Sequence, residues 1–191
     1  MIQRYLCTIW LAVAAVASGS SALAEDFGWR DKQGNAAPDS DSRKVSQGFA
    51  GMILTTSDAD WEAKWNTPEH ETPSFTEAEK VHLGQTIYTL IFLANPKAGA
   101  DGKVDVRCDV KVTRPNGTLS IDQSDVVCLE GVLQGSPDNV RLAAPVLGFL
   151  AEASDPPGTW NIDVTLRDVP RGASMKLHST FELVAEKAPK P

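Results

Sequence analysis

The sequence has little of the residue types that enzyme and metal chemistry most often uses. It contains three histidines and three cysteines in 191 residues, and the histidines are far apart in the chain, at His70, His82 and His178. No glycine-rich phosphate loop precedes a predicted helix, and no serine lies in a G-x-S-x-G sequence. We therefore expect no catalytic residue, no metal site and no bound cofactor.

Basic residues are also scarce, and they form no run or stripe. Lys and Arg number 18 against 25 Asp and Glu, which gives a formal net charge of −7 at pH 7. An acidic surface repels phosphates and anionic lipid head groups. This balance argues against nucleic acid and against a membrane surface as partners.

The first residues have the pattern of a cleaved export signal. Arg4 is followed by the apolar run TIWLAVAAVA and by small residues that end in Ala22-Leu23-Ala24. The apolar run is too short to span a bilayer. We predict a signal peptide over residues 1–24, cleavage after Ala24, and a periplasmic or secreted protein with no membrane contact after cleavage.

The rest of the chain divides by composition into three parts. Residues 25–47 are polar, aperiodic and rich in Gly, Pro, Asp and Ser, which predicts a flexible N-terminal segment. Residues 48–184 contain the periodic apolar patterns and are predicted to form one domain. Residues 185–191 are predicted to be a disordered tail.

Two cysteines, Cys108 and Cys128, remain after the predicted cleavage. In an oxidising compartment, a pair of cysteines forms a disulfide more often than a metal site or a nucleophile. We therefore predict a Cys108–Cys128 disulfide. The alternative is a pair of buried thiols on neighbouring strands.

One segment, SDADWEAKWN, has helical features. Ser57 and Asp60 have the spacing of a capping box, which predicts a short helix near residues 57–66. Trp61 and Trp65 would then lie on one face of the helix, because residues four apart are neighbours. Such a face would either dock on the domain, which we favour, or form a platform on which a ligand stacks.

From residue 85 onward the apolar pattern has the period of β-strands. KVDVRCDVKVT alternates strictly over residues 103–113, which is typical of a half-buried antiparallel strand. QTIYTLIFLAN is apolar almost throughout, which predicts a central strand covered on both faces. The segment DPPGTWNIDVTLRD predicts a rigid turn followed by another alternating strand. Together these patterns predict an all-β antiparallel sandwich with one short helix.

This last segment resembles the final hairpin of immunoglobulin-like β-sandwich modules in bacterial exported proteins. In those modules a Pro-Gly-Thr-aromatic turn, here Pro156–Trp160, precedes a strand that ends in Asp, here Asp168. The resemblance implies an immunoglobulin-like fold and leaves the activity open. Small periplasmic copper carriers are similar in the same features, but they use clustered Met or His ligands. Met52 and Met175 stand alone here, so the likeness does not extend to copper.

These observations lead to three functional hypotheses. We favour a non-catalytic exported protein that binds another protein as a partner, adaptor or inhibitor, through an exposed sheet edge or through a surface formed by Trp61, Trp65, Pro156, Pro157 and Trp160. The second hypothesis is a protein that binds a small ligand or a carbohydrate, with tryptophans as a stacking platform. The third is a hydrolase with a pair of carboxylates.

Overall fold

Ten strands and one short helix make up the described part of this computed structural model, which covers residues 27–30, 33–68 and 72–187. The strands are β1 (Arg43–Ser46), β2 (Phe49–Thr56), β3 (Lys80–Leu83), β4 (Thr86–Ala94), β5 (Lys103–Thr113), β6 (Leu119–Val132), β7 (Arg141–Leu142), β8 (Leu147–Leu150), β9 (Gly158–Asp168) and β10 (Ala173–Lys187), and the helix is α1 (Trp61–Trp65). The predicted signal peptide lies outside the described residues.

The strands form two five-stranded sheets. In the first sheet the order is β1-β2-β4-β7, and β8 pairs with the other end of the same edge of β4. In the second sheet the order is β3-β10-β9-β5-β6, with β3 parallel to β10 and the other pairs antiparallel. The order β10-β9-β5-β6 matches the G-F-C-C′ order of variable-type immunoglobulin sheets. The predicted all-β sandwich with one short helix is confirmed.

The core lies between the inner faces of the sheets. Alternate residues of β5, β9 and β10 are buried there, as period-two patterning requires: Val106, Cys108, Val110, Ile162, Val164, Leu166, Met175, Leu177 and Phe181. The first sheet contributes Phe49, Ile53, Ile87, Ile91 and Leu93. Thr55 and Thr89 lie directly opposite each other on β2 and β4, and their buried hydroxyls are joined by a 3.0 Å hydrogen bond.

Cys108 and Cys128 form a disulfide between β5 and β6, as predicted. Both residues are fully buried, and their Cα atoms are 5.8 Å apart, within the usual range for a disulfide. Among the described strands β6 pairs with β5 alone in the second sheet, so the bond holds an edge strand to its sheet neighbour.

The turn at residues 155–158 carries the chain from one sheet to the other. It leaves β8 in the first sheet and enters β9 in the second. Gly158 has a φ of +121°, and a Cβ at this position would lie 3.2 Å from Pro115. Trp160 follows in the core, where its ring lies 4.8 Å from that of Phe149 and its Nε1–H donates to the Pro156 carbonyl at 3.2 Å.

A buried ion pair holds the loops at one end of the sandwich. Asp168 is fully buried, and its carboxylate accepts hydrogen bonds from Arg171 Nε and the Lys97 amide, both at 2.9 Å. The same guanidinium donates to the Gln47 carbonyl at 2.9 Å and to the Asn95 carbonyl at 2.7 Å. The β1–β2 turn, the β4–β5 loop and the β9–β10 turn are thereby joined around one charge pair.

Several boundaries differ from the predictions. Strand β1 lies within the predicted flexible segment, because Arg43–Ser46 pairs with the start of β2, and β10 continues to Lys187 beside β9 and β3. Strand β6 is long, and its ladder with β5 has register shifts and a residue of positive φ, Asp125.

The helix begins at Trp61 rather than at the predicted capping box. Its N-cap residue is Asp60, which makes no side-chain capping hydrogen bond. The Ser57 amide donates instead to the Thr76 carbonyl at 3.4 Å, because this stretch is tied to a neighbouring loop.

We predict that Gly51→Ala destabilises the fold by about 1–3 kcal/mol, the usual cost of overpacking a core. Gly51 lies on β2 where the sheets approach closely, and an added Cβ would lie 2.5 Å from Leu166 Cδ1 and 2.7 Å from Met175 Sδ. Gly148→Ala is the matched control, since its Cβ would meet Tyr88 at an ordinary 3.9 Å. Urea unfolding of both variants measures the difference, and equal stability of the two would contradict the close approach.

We also predict that reduction of the disulfide lowers the free energy of unfolding by about 3 kcal/mol, the loop-closure value for a separation of 20 residues. Thermal unfolding with and without reductant measures the loss, and intact mass confirms the redox state. The double variant Cys108→Ala, Cys128→Ala is the control and should not respond to reductant. An unchanged transition in the reduced wild-type protein would refute the prediction.

Candidate functional site

The outer faces of the two sheets differ in chemistry. The second sheet presents charged side chains: Arg107 pairs with Asp105 and Glu130, and Arg167 pairs with Asp109 and Asp125. The first sheet presents apolar ones, including Met52 and Leu54 on β2 and Phe92 on β4. Since β4 is also buried on its core side, it is apolar and covered on both faces, as predicted.

Helix α1 supplies part of this outer cover. The Trp61 ring lies 5.9 Å from Tyr88, and the Trp65 ring lies 5.3 Å from Phe92, so both tryptophans face the sheet. From the loop that precedes β3, Phe75 approaches Phe92 at 6.0 Å. The tryptophan face of the helix therefore docks on the domain, which is the interpretation the sequence favoured.

Among the described residues this cover is incomplete, and it leaves a groove of about 870 Å³. Its floor is formed by the side chains of Met52, Leu54 and Phe92, and its walls include those of Trp65, Phe75 and Val140. Residues 27–30, Thr72, Pro73, Ser74, Asn95 and Asp138 complete the lining. This volume and apolar lining are typical of sites that hold small organic molecules.

A network around Asp58 fixes the wall that carries Trp65 and Phe75. The Asp58 carboxylate accepts a hydrogen bond from the Thr76 amide at 2.8 Å and an ion pair from Lys64 Nζ at 2.9 Å. The Thr56 hydroxyl donates to the Thr76 carbonyl at 2.8 Å. The ammonium of Lys64 and the Thr76 amide lower the pKa of Asp58 to about 2.

Arg141 fixes the opposite wall, which carries Asp138 and Val140. Its guanidinium donates to four backbone carbonyls of the preceding loop, at 2.6–3.0 Å: Gln134, Ser136, Pro137 and Asn139. Burial lowers the pKa of this guanidinium from its usual value. The planar fork suits several acceptors at once, so this one side chain defines the shape of the loop.

The N-terminal segment closes one side of the groove. Trp29 Nε1 donates to the Lys44 carbonyl at 3.3 Å, and the Ala37 amide donates to the Trp29 carbonyl at 2.8 Å. Arg30 forms a β-bridge with Ala36. Part of the predicted flexible segment is therefore a wall of the candidate site.

The residues proposed from sequence as a binding surface do not lie together. Trp65 lines the groove, and Trp61 lies beside it on Tyr88. Trp160 is fully buried in the core, so its ring presents no surface. Pro156 and Pro157 precede it in the turn between the sheets and are not among the groove residues.

The edge strand β6 is the longest edge available for strand addition in the described part of the chain, and it is protected. It carries Asp122, Asp125 and Glu130, and its pairing with β5 contains register shifts. The Ala144 amide also caps its Cys128 carbonyl at 2.8 Å. Charges and bulges on an edge discourage pairing with another strand, so this edge does not favour the predicted mode of partner binding.

The histidines contribute no cluster. His178 Nδ1 lies 2.9 Å from an Asp163 carboxylate oxygen on the charged outer face, His82 belongs to β3, and His70 lies outside the described residues. Within the described ranges, no group of three or more His, Cys, Asp or Glu could hold a metal ion. In the same ranges, no helix is long and apolar enough to cross a membrane.

Comparisons with known proteins find weak structural similarities and no family. No protein-family model matches this chain, and no curated protein does. Among solved structures, a CARDB domain from Pyrococcus furiosus is 10% identical over 78% of this chain and 100% of its own, with a TM-score of 0.36.

Two larger proteins are similar to the same degree. A family 123 glycoside hydrolase from Clostridium perfringens is 10% identical over 74% of this chain, with a TM-score of 0.36. The alkylpurine DNA glycosylase AlkC of Pseudomonas fluorescens is 14% identical over 56%, with a TM-score of 0.37. The matched part spans only 28% of each of these proteins.

We predict that Asp58→Ala lowers the free energy of unfolding by about 1–3 kcal/mol, because it removes hydrogen bonds to a charged acceptor. It should also expose Trp61 and Trp65 to quenching by acrylamide. Asp60→Ala is the matched control, because the Asp60 carboxylate is 65% exposed and lies farther from Lys64. Equal quenching in both variants would show that Asp58 does not hold this wall.

The comparison of wild type with Asp58→Ala also predicts how stability depends on pH. The folded-state pKa of Asp58, about 2, is below the ordinary value of 3.8, so the carboxylate stabilises the fold above the ordinary value. We expect the stability difference between wild type and Asp58→Ala to be constant near neutral pH. It should narrow as the pH falls from about 4 to about 2. A difference that widens with acid would contradict this assignment.

Proposed function

We propose that this chain is an exported, non-catalytic binding protein that holds a small, largely apolar ligand in the groove on the first sheet. The observation that carries the proposal is a concave, aromatic-lined space of about 870 Å³ over Met52, Leu54 and Phe92. Burying a ligand on this floor removes apolar surface from water on both sides, which is the main driving force for such binding.

The walls support the proposal because they are held independently of any ligand. Asp58 ties the wall with Trp65 and Phe75 to the end of β2, and Arg141 holds the loop before Val140. A preformed site loses little conformational entropy when it binds. Because these hydrogen bonds hold the walls in place, the groove is already formed before a ligand binds.

Export is proposed from the predicted leader and is supported by the disulfide. A buried Cys108–Cys128 bond suits an oxidising compartment such as the periplasm. The resemblance of the last hairpin to immunoglobulin-like modules of bacterial exported proteins agrees with this location.

A protein partner is the second candidate, and one observation favours it. Residues 27–30 of the chain itself form one side of the groove, and among them Phe27 and Trp29 present aromatic side chains. An extended peptide with aromatic side chains is therefore compatible with this surface. A partner that displaces residues 27–30 would contact the same groove residues as a small ligand.

We predict that Val140→Glu abolishes ligand retention without affecting the fold, because it places a charge in the apolar wall. Val140 is 42% exposed, so the substitution buries no charge in the free protein. The matched control is Val169→Glu, in the β9–β10 turn, where the valine is 51% exposed. Native mass spectrometry of protein purified from its own host measures the bound small molecule.

We expect a bound molecule in wild type and in Val169→Glu, and its loss in Val140→Glu. Equal retention in the two variants would show that the groove is not the site. Affinity capture with the same variants tests the second candidate. A protein that is captured by wild type but not by Val140→Glu, with no small molecule present, would replace the ligand proposal.

A further inference from the structure

We propose that the ligand of the groove has an extended alkyl chain with one uncharged polar end, and that it binds as a single molecule from solution. This inference rests on the proposed function and specifies the chemical class of the ligand. It excludes the carbohydrate that two neighbouring tryptophans in the sequence had suggested. Three properties of the groove carry it: its floor, its rings and its polar lining.

The floor is a continuous apolar strip across two strands. Met52 on β2 lies directly opposite Phe92 on β4, and Leu54 lies two residues further along β2 on the same face. Adjacent strands are about 5 Å apart, and side chains on one face of a strand repeat about every 7 Å. Such a strip matches a flexible hydrocarbon chain, which gains free energy with each methylene that it buries.

The aromatic rings form a wedge rather than a flat platform. Trp65 and Phe75 both contact Phe92, with interplanar angles of 43° and 39°. A sugar stacks on a ring whose flat face is open, whereas these rings are engaged with one another and with the sheet. A chain that bends can fill the space between tilted rings, and a rigid pyranose cannot.

The polar side chains that line the groove are Arg30, Thr72, Ser74, Asn95 and Asp138, and two of them already donate hydrogen bonds to backbone carbonyls. Asn95 uses its side-chain amide on the Gly48 carbonyl at 2.8 Å, and Arg30 donates to the Gly34 carbonyl at 3.1 Å. The charged lining residues, Arg30 and Asp138, have opposite signs, so their formal charges sum to zero. Hydroxyl groups on every side of a sugar would lose water over the apolar floor without compensation, whereas a single polar end could remain beside these polar side chains.

We expect the alkyl chain to belong to a dissolved molecule rather than to a lipid in a bilayer. The groove is concave, and the protein carries a net charge of −7, which opposes anionic membranes. The apolar floor is recessed beneath α1 and residues 27–30 instead of projecting from the surface. A single amphiphile can enter such a recess, and a flat lipid surface cannot.

Displacement of the neutral fluorescent probe N-phenyl-1-naphthylamine tests the inference on the purified full chain. We expect probe emission to rise and shift to the blue on binding. We expect dodecanol, kept below its solubility limit, to displace the probe, and chitotetraose to leave it bound. Leu54→Glu should weaken dodecanol binding by about tenfold or more. Leu150→Glu is the control, at an exposed leucine of the first sheet outside the groove.

The outcomes distinguish an error in the proposed ligand class from an error in the proposed binding function. Because Leu54→Glu could unfold the chain, thermal unfolding accompanies each titration, and Val140→Glu serves as the second groove variant. If chitotetraose binds at the groove and dodecanol does not, the ligand class is wrong and the binding function stands. If the wild type sediments with phosphatidylcholine–phosphatidylglycerol vesicles and Leu54→Glu does not, a membrane surface replaces the soluble ligand. If neither compound nor the probe binds, and the host protein carries no small molecule, both proposals fail.

Discussion

Strand β4 is apolar on both faces, and the rest of the structure depends on this property. Its inward side chains meet the second sheet in the core, whereas its outward side chains Leu90 and Phe92 must be shielded from water by something else. The chain uses α1, the loop before β3 and residues 27–30 for this purpose. The outer face of β4 is therefore the reason that these segments lie where they do.

Irregular segments do not form stable walls without partners for their backbone groups. Here two charged side chains supply those partners: Asp58 on one side of the groove and Arg141 on the other. Asp168 and Arg171 do the same for the loops at one end of the sandwich. Arg141, Asp168 and Arg171 each satisfy two or more backbone groups, and Asp58 joins one backbone amide to Lys64, so that a few residues position long stretches of loop.

The sequence predicted what depends on periodicity and less of what depends on tertiary contacts. The alternation in β5 and β9 identified the core positions and the sandwich, and the apolar run of β4 indicated a strand covered on both faces. Nothing in the local pattern indicated that Phe75, Val140 and residues 27–30 would meet over Phe92, because they are distant in sequence. Trp160 shows the same limit: its turn suggested a surface, but the strand register directs its ring into the core. The role of Asp58 was not predicted, because the sequence around it has a capping-box pattern. In the structure no side chain caps the helix, and the Asp58 carboxylate accepts a hydrogen bond from the Thr76 amide.

The contrast between the two outer faces is the strongest reason to place binding on the first sheet. On the second sheet, the arginine side chains at its surface are paired with neighbouring carboxylates, so a ligand there would have to break existing ion pairs. On the first sheet, the cover that α1 and the described loops make stops short of closing over Met52 and Leu54, which are half-buried. Polar networks hold the walls on either side of this apolar floor. Water over it is the least favourable occupant, and an apolar molecule of suitable length is a better one.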